Sequence, residues 1–173
     1  VLENKIRKIP VTFLIATGSH RAPTAGELKK MFGRHYDRFR KSIYIHDAHD
    51  QKSMVPMGVT SRGTILELNR IAVNAPKLII IGSVEPHYYA GFTGGRKAIL
   101  PGVASYRSIE QNHRFAMEEE ARVLTLEGNP VHEDMEDALR VIEEKDVFSI
   151  MTILDHHERI YHVTTGRLSA SFS

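Results

Sequence analysis

The 173-residue sequence contains no cysteine. That excludes disulfides, a thiolate metal site and a thiol nucleophile. No stretch approaches the ~18 consecutive apolar residues of a membrane-spanning helix, and no secretory leader is recognisable. Charge of one sign is not in excess either: 23 Lys and Arg stand against 21 Asp and Glu, a formal net charge of +2. Such a balance points away from nucleic acid or an anionic membrane as the main partner. An initiator Met is missing as well. The opening VLENKIRKIP places Leu2, Ile6 and Ile9 on one helical face, so the expectation is the end of a helix feeding a strand, with something preceding it in the full protein. A soluble cytoplasmic protein is the simplest reading.

The composition is otherwise ordinary, 42% hydrophobic and 25% charged, which suits one folded domain with a sizeable core. Histidine is abundant, at ten residues, enough for metal or proton chemistry as well as surface positions.

The most informative stretch is Lys77–Gly102, KLIIIGSVEPHYYAGFTGGRKAILPG. It begins as a short apolar strand, Leu78–Ile81, and opens into a long loop. A loop of that length in a compact domain is functional or disordered. Its aromatics (Tyr88, Tyr89, Phe92) and its apolar tail Ala98-Ile99-Leu100 argue against disorder.

Upstream, Val11–Ala16 reads as a buried strand ending in Thr17-Gly18-Ser19-His20-Arg21. A helix is expected over 25–32, with Thr24 as N-cap and Glu27 closing a capping box. Strands are expected over 42–45 and 57–60, and a helix or strand-plus-helix over 64–75. Downstream, helices are expected over 105–121 and, after the Asn129-Pro130 break, over 131–144. Two late strands, 148–154 and 159–163, flank Asp155-His156-His157-Glu158. The tail from Thr164 has no strong pattern. Alternating strands and helices, with strands written as continuous apolar runs, predict an α/β fold: a Rossmann-like, mostly parallel sheet with helices on both faces.

Ligands of such sheets sit beyond the carboxyl ends of strands. Two such ends carry His20 and His87. Gly18 permits a tight bend at the first, and Pro86 fixes the backbone before the second. Two strand-end imidazoles suit acid/base work on either side of a substrate, provided the two strands are neighbours. The loop 91–97, with Gly91, Gly94, Gly95, Arg96 and Lys97, resembles a phosphate cradle in composition. It lacks the spacing of a P-loop, and Ala98 stands where the magnesium-binding hydroxyl belongs. Lys97, flanked by apolar residues, is a candidate nucleophile or covalent attachment point, and a surface Lys with a buried stem is the plainer alternative. His113 lies in a predicted helix. His46, Asp47, His49 and Asp50 match no standard zinc spacing and read as turn or supporting residues. His156-His157 reads as a solvated turn, and Met31, Met54, Met57 and Met117 as packing residues.

Several segments together, Ala16–Arg21, Glu85–Lys97, Ile99–Gly102, Asn112-His113 and Gly128–His132, resemble the nickel-dependent lactate racemase family in order and spacing, over roughly Val11 to Gly166. The resemblance implies a nickel-pincer nucleotide, a pyridinium-3,5-bisthiocarboxylic acid mononucleotide carrying nickel, bound covalently to Lys97. It implies His113 as the nickel ligand and Gly94 and Gly95 as part of the cofactor-binding stretch. His20 and His87 would be the two acid/base residues. The implied activity is racemisation or epimerisation of a 2-hydroxy acid, by reversible hydride transfer to the cofactor through a planar 2-keto acid. Cofactor-maturation proteins would be partners. The family's amino-terminal Asp and Arg pair would fall before Val1, and its carboxy-terminal domain after Ser173. Residues 1–173 are then expected to be one α/β domain, the cofactor-bearing core of a longer racemase, inactive alone. Two alternatives stay open at this point: a phosphate- or anion-binding α/β hydrolase using His20 and His87 without nickel, and a non-catalytic ligand-binding relative of the same fold.

Overall fold

In the computed structural model, residues 9–142 and 145–167 are described. The expected opening helix face at Leu2 and Ile6, and the last residues of the expected 131–144 helix, lie outside them.

The first strand, β1 (Phe13–Ile15), pairs in parallel with β2 (Ile43–Ile45). Helix α1 (Ala25–Phe32) crosses between them. Its start is the expected capping box: Thr24 Oγ1 accepts from the Glu27 amide at 3.2 Å, and the Glu27 carboxylate accepts from the Thr24 amide at 2.7 Å. Such a pair satisfies two helix-end donors that would otherwise lack partners. Phe13 is gripped edge-on by Phe32 and by Phe39 of the short helix α2 (Tyr36–Phe39), each ring centre 5.0 Å away.

Next comes an antiparallel hairpin of β3 (Met54–Val59) and β4 (Ile65–Asn69), bulged at Pro56/Gly58. Helix α3 (Arg70–Asn74) follows directly, with Asn69 as N-cap. The 64–75 stretch is therefore strand-plus-helix. The strand expected at 57–60 begins earlier, at Met54.

Strand β5 (Lys77–Ser83) runs parallel to β8 (Asp146–Leu154) over seven register pairs, from Lys77↔Asp146 to Ser83↔Thr152. β8 turns back antiparallel into β9 (Ile160–Arg167), so the late strand is longer than expected and absorbs the start of the polar tail. Between β5 and β8 lie a two-residue ladder, β6 (Pro86–His87) with β7 (Gly91–Phe92), a 3-10 turn at Gly95–Ala98, and helices α4 (Tyr106–Arg114) and α5 (Pro130–Arg140). α4 ends well short of the expected Ala121 and passes through a 3-10 turn at Phe115–Met117.

The expected mostly parallel, Rossmann-like sheet is corrected here. The described strands fall into four small sheets, with parallel pairing in β1/β2 and β5/β8 and antiparallel pairing in the other three pairs. Connection length explains the split. Parallel pairs need a crossover, whereas the short connections at Thr60–Thr64 and Asp155–Arg159 permit hairpins. Burial on both faces is corrected too. Ile80 of β5 is buried at 7% exposure, but its neighbours Ile79 and Ile81 are 65% and 69% exposed. An apolar run fixes strand identity without fixing how many faces are covered.

The core is built by Leu66 and Leu68 of β4, Ile80 of β5, Val147 and Met151 of β8, and the inner face of α5, Val131, Met135, Ala138 and Leu139. Ile99, Leu100 and Val103 close it from the end of the long loop. That packing anchors the loop at its downstream end. The turn after β1 is tied to the same place: the Gly18 amide donates to the Gly102 carbonyl at 2.9 Å. Gly18 has φ +56°, the left-handed backbone that glycine adopts without strain, so glycine serves the bend.

Candidate active site

The loop after β5 presents its side chains from a rigid frame. Arg96 is fully buried. Its Nη2 donates to the carbonyls of Ala90, at 3.1 Å, and Phe92, at 3.0 Å. Those carbonyls flank Gly91 of β7, which pairs with His87. Arg96 thus holds the segment that carries His87. Its placement also removes the motive for a phosphate cradle, since this cation points at backbone carbonyls within the fold. Gly91, at φ +75°, lies so close to the Thr125 carbonyl that a Cβ would sit 2.2 Å from that oxygen.

Gly94 adopts φ +113° as the cap of the 3-10 turn, and Gly95 is buried as its first residue. The Lys97 amide donates back to the Gly94 carbonyl at 2.9 Å. These glycines shape the turn that delivers Lys97. Its amine reaches His87: Nζ lies 2.9 Å from His87 Nε2. The same Nζ sits 5.6 Å from the centre of the Tyr89 ring. His87 Nδ1 accepts from the Ala90 amide at 3.3 Å, while Tyr88 stacks on the ring at 4.8 Å and Tyr89 meets it edge-on at 4.5 Å.

Tyr89 continues the chain. Its hydroxyl lies 3.0 Å from His113 Nε2. His113 is on α4, and the preceding residue fixes that helix. Asn112 Nδ2 donates to Asp134 Oδ2 at 2.8 Å, and buried Asp134 also accepts from Thr60 and Thr64 hydroxyls, at 2.5 and 2.8 Å. Asn129, the N-cap of α5, donates from Nδ2 to the Tyr89 carbonyl at 2.9 Å. So α4 and α5 hold the two ends of the Tyr89–His113 contact.

Burial sets the electrostatics. The Lys97 amine is pushed down to about 8 by burial first and by the Arg96 charge second. His87 is lowered to about 4 by burial, then by the charges of Lys97, His113 and Arg96. His113 is lowered by burial, then by Lys97 and His20. Tyr89 is raised to about 12, chiefly by burial. Near neutral pH the histidines of this cluster are unprotonated bases, and a sizeable fraction of the Lys97 amine is uncharged.

Lys97, His87 and His113 are therefore brought together, with Tyr89 as the link. His20 stands exposed in the turn after β1. It bears on the cluster electrostatically, as a minor cause of the lowering at His113. Tyr89, Asp134 and Asn129 are neighbours of this cluster to which residue-by-residue reading gave no role, and Arg96, read there as part of a cradle-like loop, holds the loop backbone instead. For Asn129 a signal existed, the Asn-Pro pair that caps and starts a helix. His46 is neither turn residue nor ligand: it is buried, with Nε2 2.9 Å from the Ala104 carbonyl and Nδ1 3.2 Å from the Asn69 amide group. An open groove of about 560 Å³ lies elsewhere, against Tyr44, Asp47, Asp50, Lys52 and Arg70, and none of the cluster residues lines it.

Among the described residues, no group of three His, Cys, Asp or Glu side chains is placed to hold a metal ion. A metal caged by protein ligands alone does not fit. The side chains present are compatible with a metal carried by a group attached to an amine and completed by a single imidazole: Lys97 offers a half-buried amine, and the Nε2 of His113 meets a neutral phenol, which can yield. Also among the described residues, no helix is long and apolar enough to cross a membrane.

A family model described as the lactate racemase N-terminal domain matches residues 2–124. The lactate racemase of Thermoanaerobacterium thermosaccharolyticum is 36% identical over 167 residues, 95% of this chain and 38% of that protein. The lactate racemase of Lactiplantibacillus plantarum is 37% identical over 163 residues, 93% of this chain and again 38% of the relative. The structure of the lactate racemase apoprotein from T. thermosaccharolyticum superposes with a TM-score of 0.89 at 36% identity, covering 98% of this chain and 42% of that one. A Thermotoga maritima protein shares the fold, with a TM-score of 0.77 at 20% identity over 92% of this chain and 43% of that one. The chain thus spans 38% of the length of these curated relatives.

Proposed function

The chain belongs to the lactate racemase family, and on that premise we propose that it is the cofactor-bearing part of a racemase or epimerase acting on a 2-hydroxy acid. The observation that carries the proposal is the Lys97–His87 contact at 2.9 Å, continued through Tyr89 to His113. A nucleophilic amine, a neutral imidazole base and a second imidazole lie within one chain of contacts, in a family whose named members are lactate racemases.

Lys97 would hold the nickel-pincer nucleotide covalently, His113 would ligate its nickel, and Gly94 and Gly95 would let the backbone approach it. When bound, that group supplies a reversible acceptor for hydride. The protein's own share is proton handling and placement. Inverting one carbon requires a hydroxyl proton to be taken from, and returned to, either of two opposed positions. His87 serves one side, its ring held by Tyr88, Tyr89 and the Ala90 amide. His20 serves the other, from the turn tied to Gly102. Arg96 positions the His87 segment and excludes water from beneath it. Maturation proteins would load Lys97, because the nucleotide must be built before it is attached.

The test is mass spectrometry of the intact protein co-expressed with cofactor-maturation proteins. Added mass on the Lys97 peptide, with stoichiometric nickel, is the expected result. An unmodified Lys97 and a nickel-free protein under those conditions would sink the proposal.

A further inference from the structure

Resting on that reading, and deepening it, we infer that Lys97 sets which nitrogen of His87 carries the proton, and that acylation of Lys97 switches His87 from a donor to an acceptor at Nε2. The argument is one of donor and acceptor counting. A neutral imidazole has one N–H and one lone pair. The Ala90 amide donates to Nδ1, so Nδ1 presents its lone pair and the proton resides on Nε2. Nε2 faces Lys97 Nζ at 2.9 Å. With a proton on Nε2, this contact is a hydrogen bond only if the amine offers a lone pair. The pairing is therefore between the neutral form of the Lys97 amine, populated above about pH 8, and an Nε2–H donor on His87. A His87 in that tautomer cannot take a substrate proton at Nε2.

Acylation reverses the pattern. The Lys97 nitrogen forms a bond to the acyl carbon, the leaving group departs with its electron pair, and the surplus proton on nitrogen is lost to water. The resulting amide or thioamide nitrogen has a delocalised lone pair and one N–H. It can donate and no longer accept. His87 then meets a donor at Nε2, so its proton moves to Nδ1 through solvent. The contact given up is the long one, 3.3 Å to the Ala90 amide, and the short one to Lys97 is kept with its direction reversed. The neighbours that bear on the ring are Tyr88, Tyr89, Arg96 and His113. None of them offers His87 Nε2 a competing contact in the described structure. Loading the lysine thus turns Nε2 from a donor into an acceptor, its lone pair engaged by the new amide N–H.

The experiment is nitrogen-15 NMR of the imidazoles in the unloaded chain, before and after acetylation of Lys97 with p-nitrophenyl acetate. His87 is expected as the Nε2–H tautomer before treatment and as the Nδ1–H tautomer after it. Both measurements are made at about pH 9, where the Lys97 amine, lowered to about 8, is mostly neutral, and its acetylation is read from added mass on its peptide. Lys97→Met, which also removes the lone pair, should release the Nε2–H to exchange faster with water without needing the reagent. An Nδ1–H tautomer in the untreated chain, or His87 signals unmoved by both acetylation and Lys97→Met, overturns the inference. Those outcomes leave the nickel adduct on co-expressed protein untouched as a separate measurement. Conversely, a tautomer switch seen in a protein that never acquires the adduct retains this inference and removes the racemase reading.

Discussion

The Tyr89 hydroxyl lies 3.0 Å from His113 Nε2, and the face of the same ring lies 5.6 Å from the Lys97 amine. One aromatic side chain therefore stands between the amine and the imidazole that the proposed function assigns to one cofactor. Tyr89 is half-buried and held from behind by Asn129 through its carbonyl. It acts as a spacer whose polar end covers the His113 nitrogen.

Tyr89→Phe keeps the spacer and removes the cover. The loss of one part-buried hydrogen bond should cost about 0.5–1.5 kcal/mol of stability, read from urea unfolding. His113 should become more reactive toward diethyl pyrocarbonate in the unloaded protein. Unchanged reactivity at His113 would show that the phenol does not cover that nitrogen.

Asp134 is the pin of the cluster. It is fully buried and accepts from Thr60, Thr64 and Asn112, the first two on the β3–β4 turn and the third on helix α4. Asp134→Ala strands three buried donors, and at roughly 1–3 kcal/mol for each unsatisfied group the loss should exceed about 3 kcal/mol. Asp134→Asn should recover part of it, because an amide oxygen still accepts. If Asp134→Ala unfolds at the wild-type urea concentration, α4 is held by something else.

Much of the local structure was legible in the residues, because local chemistry decides it. Thr24 and Glu27 spell a capping box, Asn129-Pro130 spells a helix start, and Asp155–Glu158 separates two strands as a turn. The long loop was legible as a site because glycines, a Pro-His pair and two cations crowd it. Pairing direction was not legible: apolar runs such as Leu78–Ile81 look alike in parallel and antiparallel sheets, and Ile79 and Ile81 face outward although they read as buried. The roles of Tyr89 and Arg96 were hidden for a different reason. Tyr89 meets His113 only because Asp134 and Asn112 set α4 in place, and Arg96 is spent on backbone carbonyls that no sequence pattern announces.

Gly91→Ala tests the frame of His87. The new Cβ would sit 2.2 Å from the Thr125 carbonyl oxygen, on a residue with φ +75°. Both the clash and the left-handed backbone oppose it, and a loss of at least ~1–3 kcal/mol is expected. Because Gly91 pairs with His87, the NMR signals of the His87 ring should shift in this variant. Gly128→Ala is the control, with a similar φ of +74° and open space around the added carbon; it carries the backbone strain and should leave His87 unmoved.

The acid limb of stability should be steepened by buried histidines, and His132 isolates that effect away from the Lys97–His87 contact. Its ring is lowered to about 4, by burial first and the Arg96 charge second, and its Nδ1 is buried without a hydrogen-bond partner. The ordinary value is 6.5. Between pH 4 and 6.5 the unfolded chain therefore binds more protons at this site than the folded one. Linkage then requires stability to rise with pH across that window and to fall as acid is added, levelling below both values. His87 contributes with the same sign. His132→Leu removes one titrating group and one unpaired buried nitrogen. It should flatten the change in urea midpoint between pH 4.5 and 7, while lowering stability little at pH 7. An unaltered pH slope in the variant would mean that His132 titrates alike in the folded and unfolded chain.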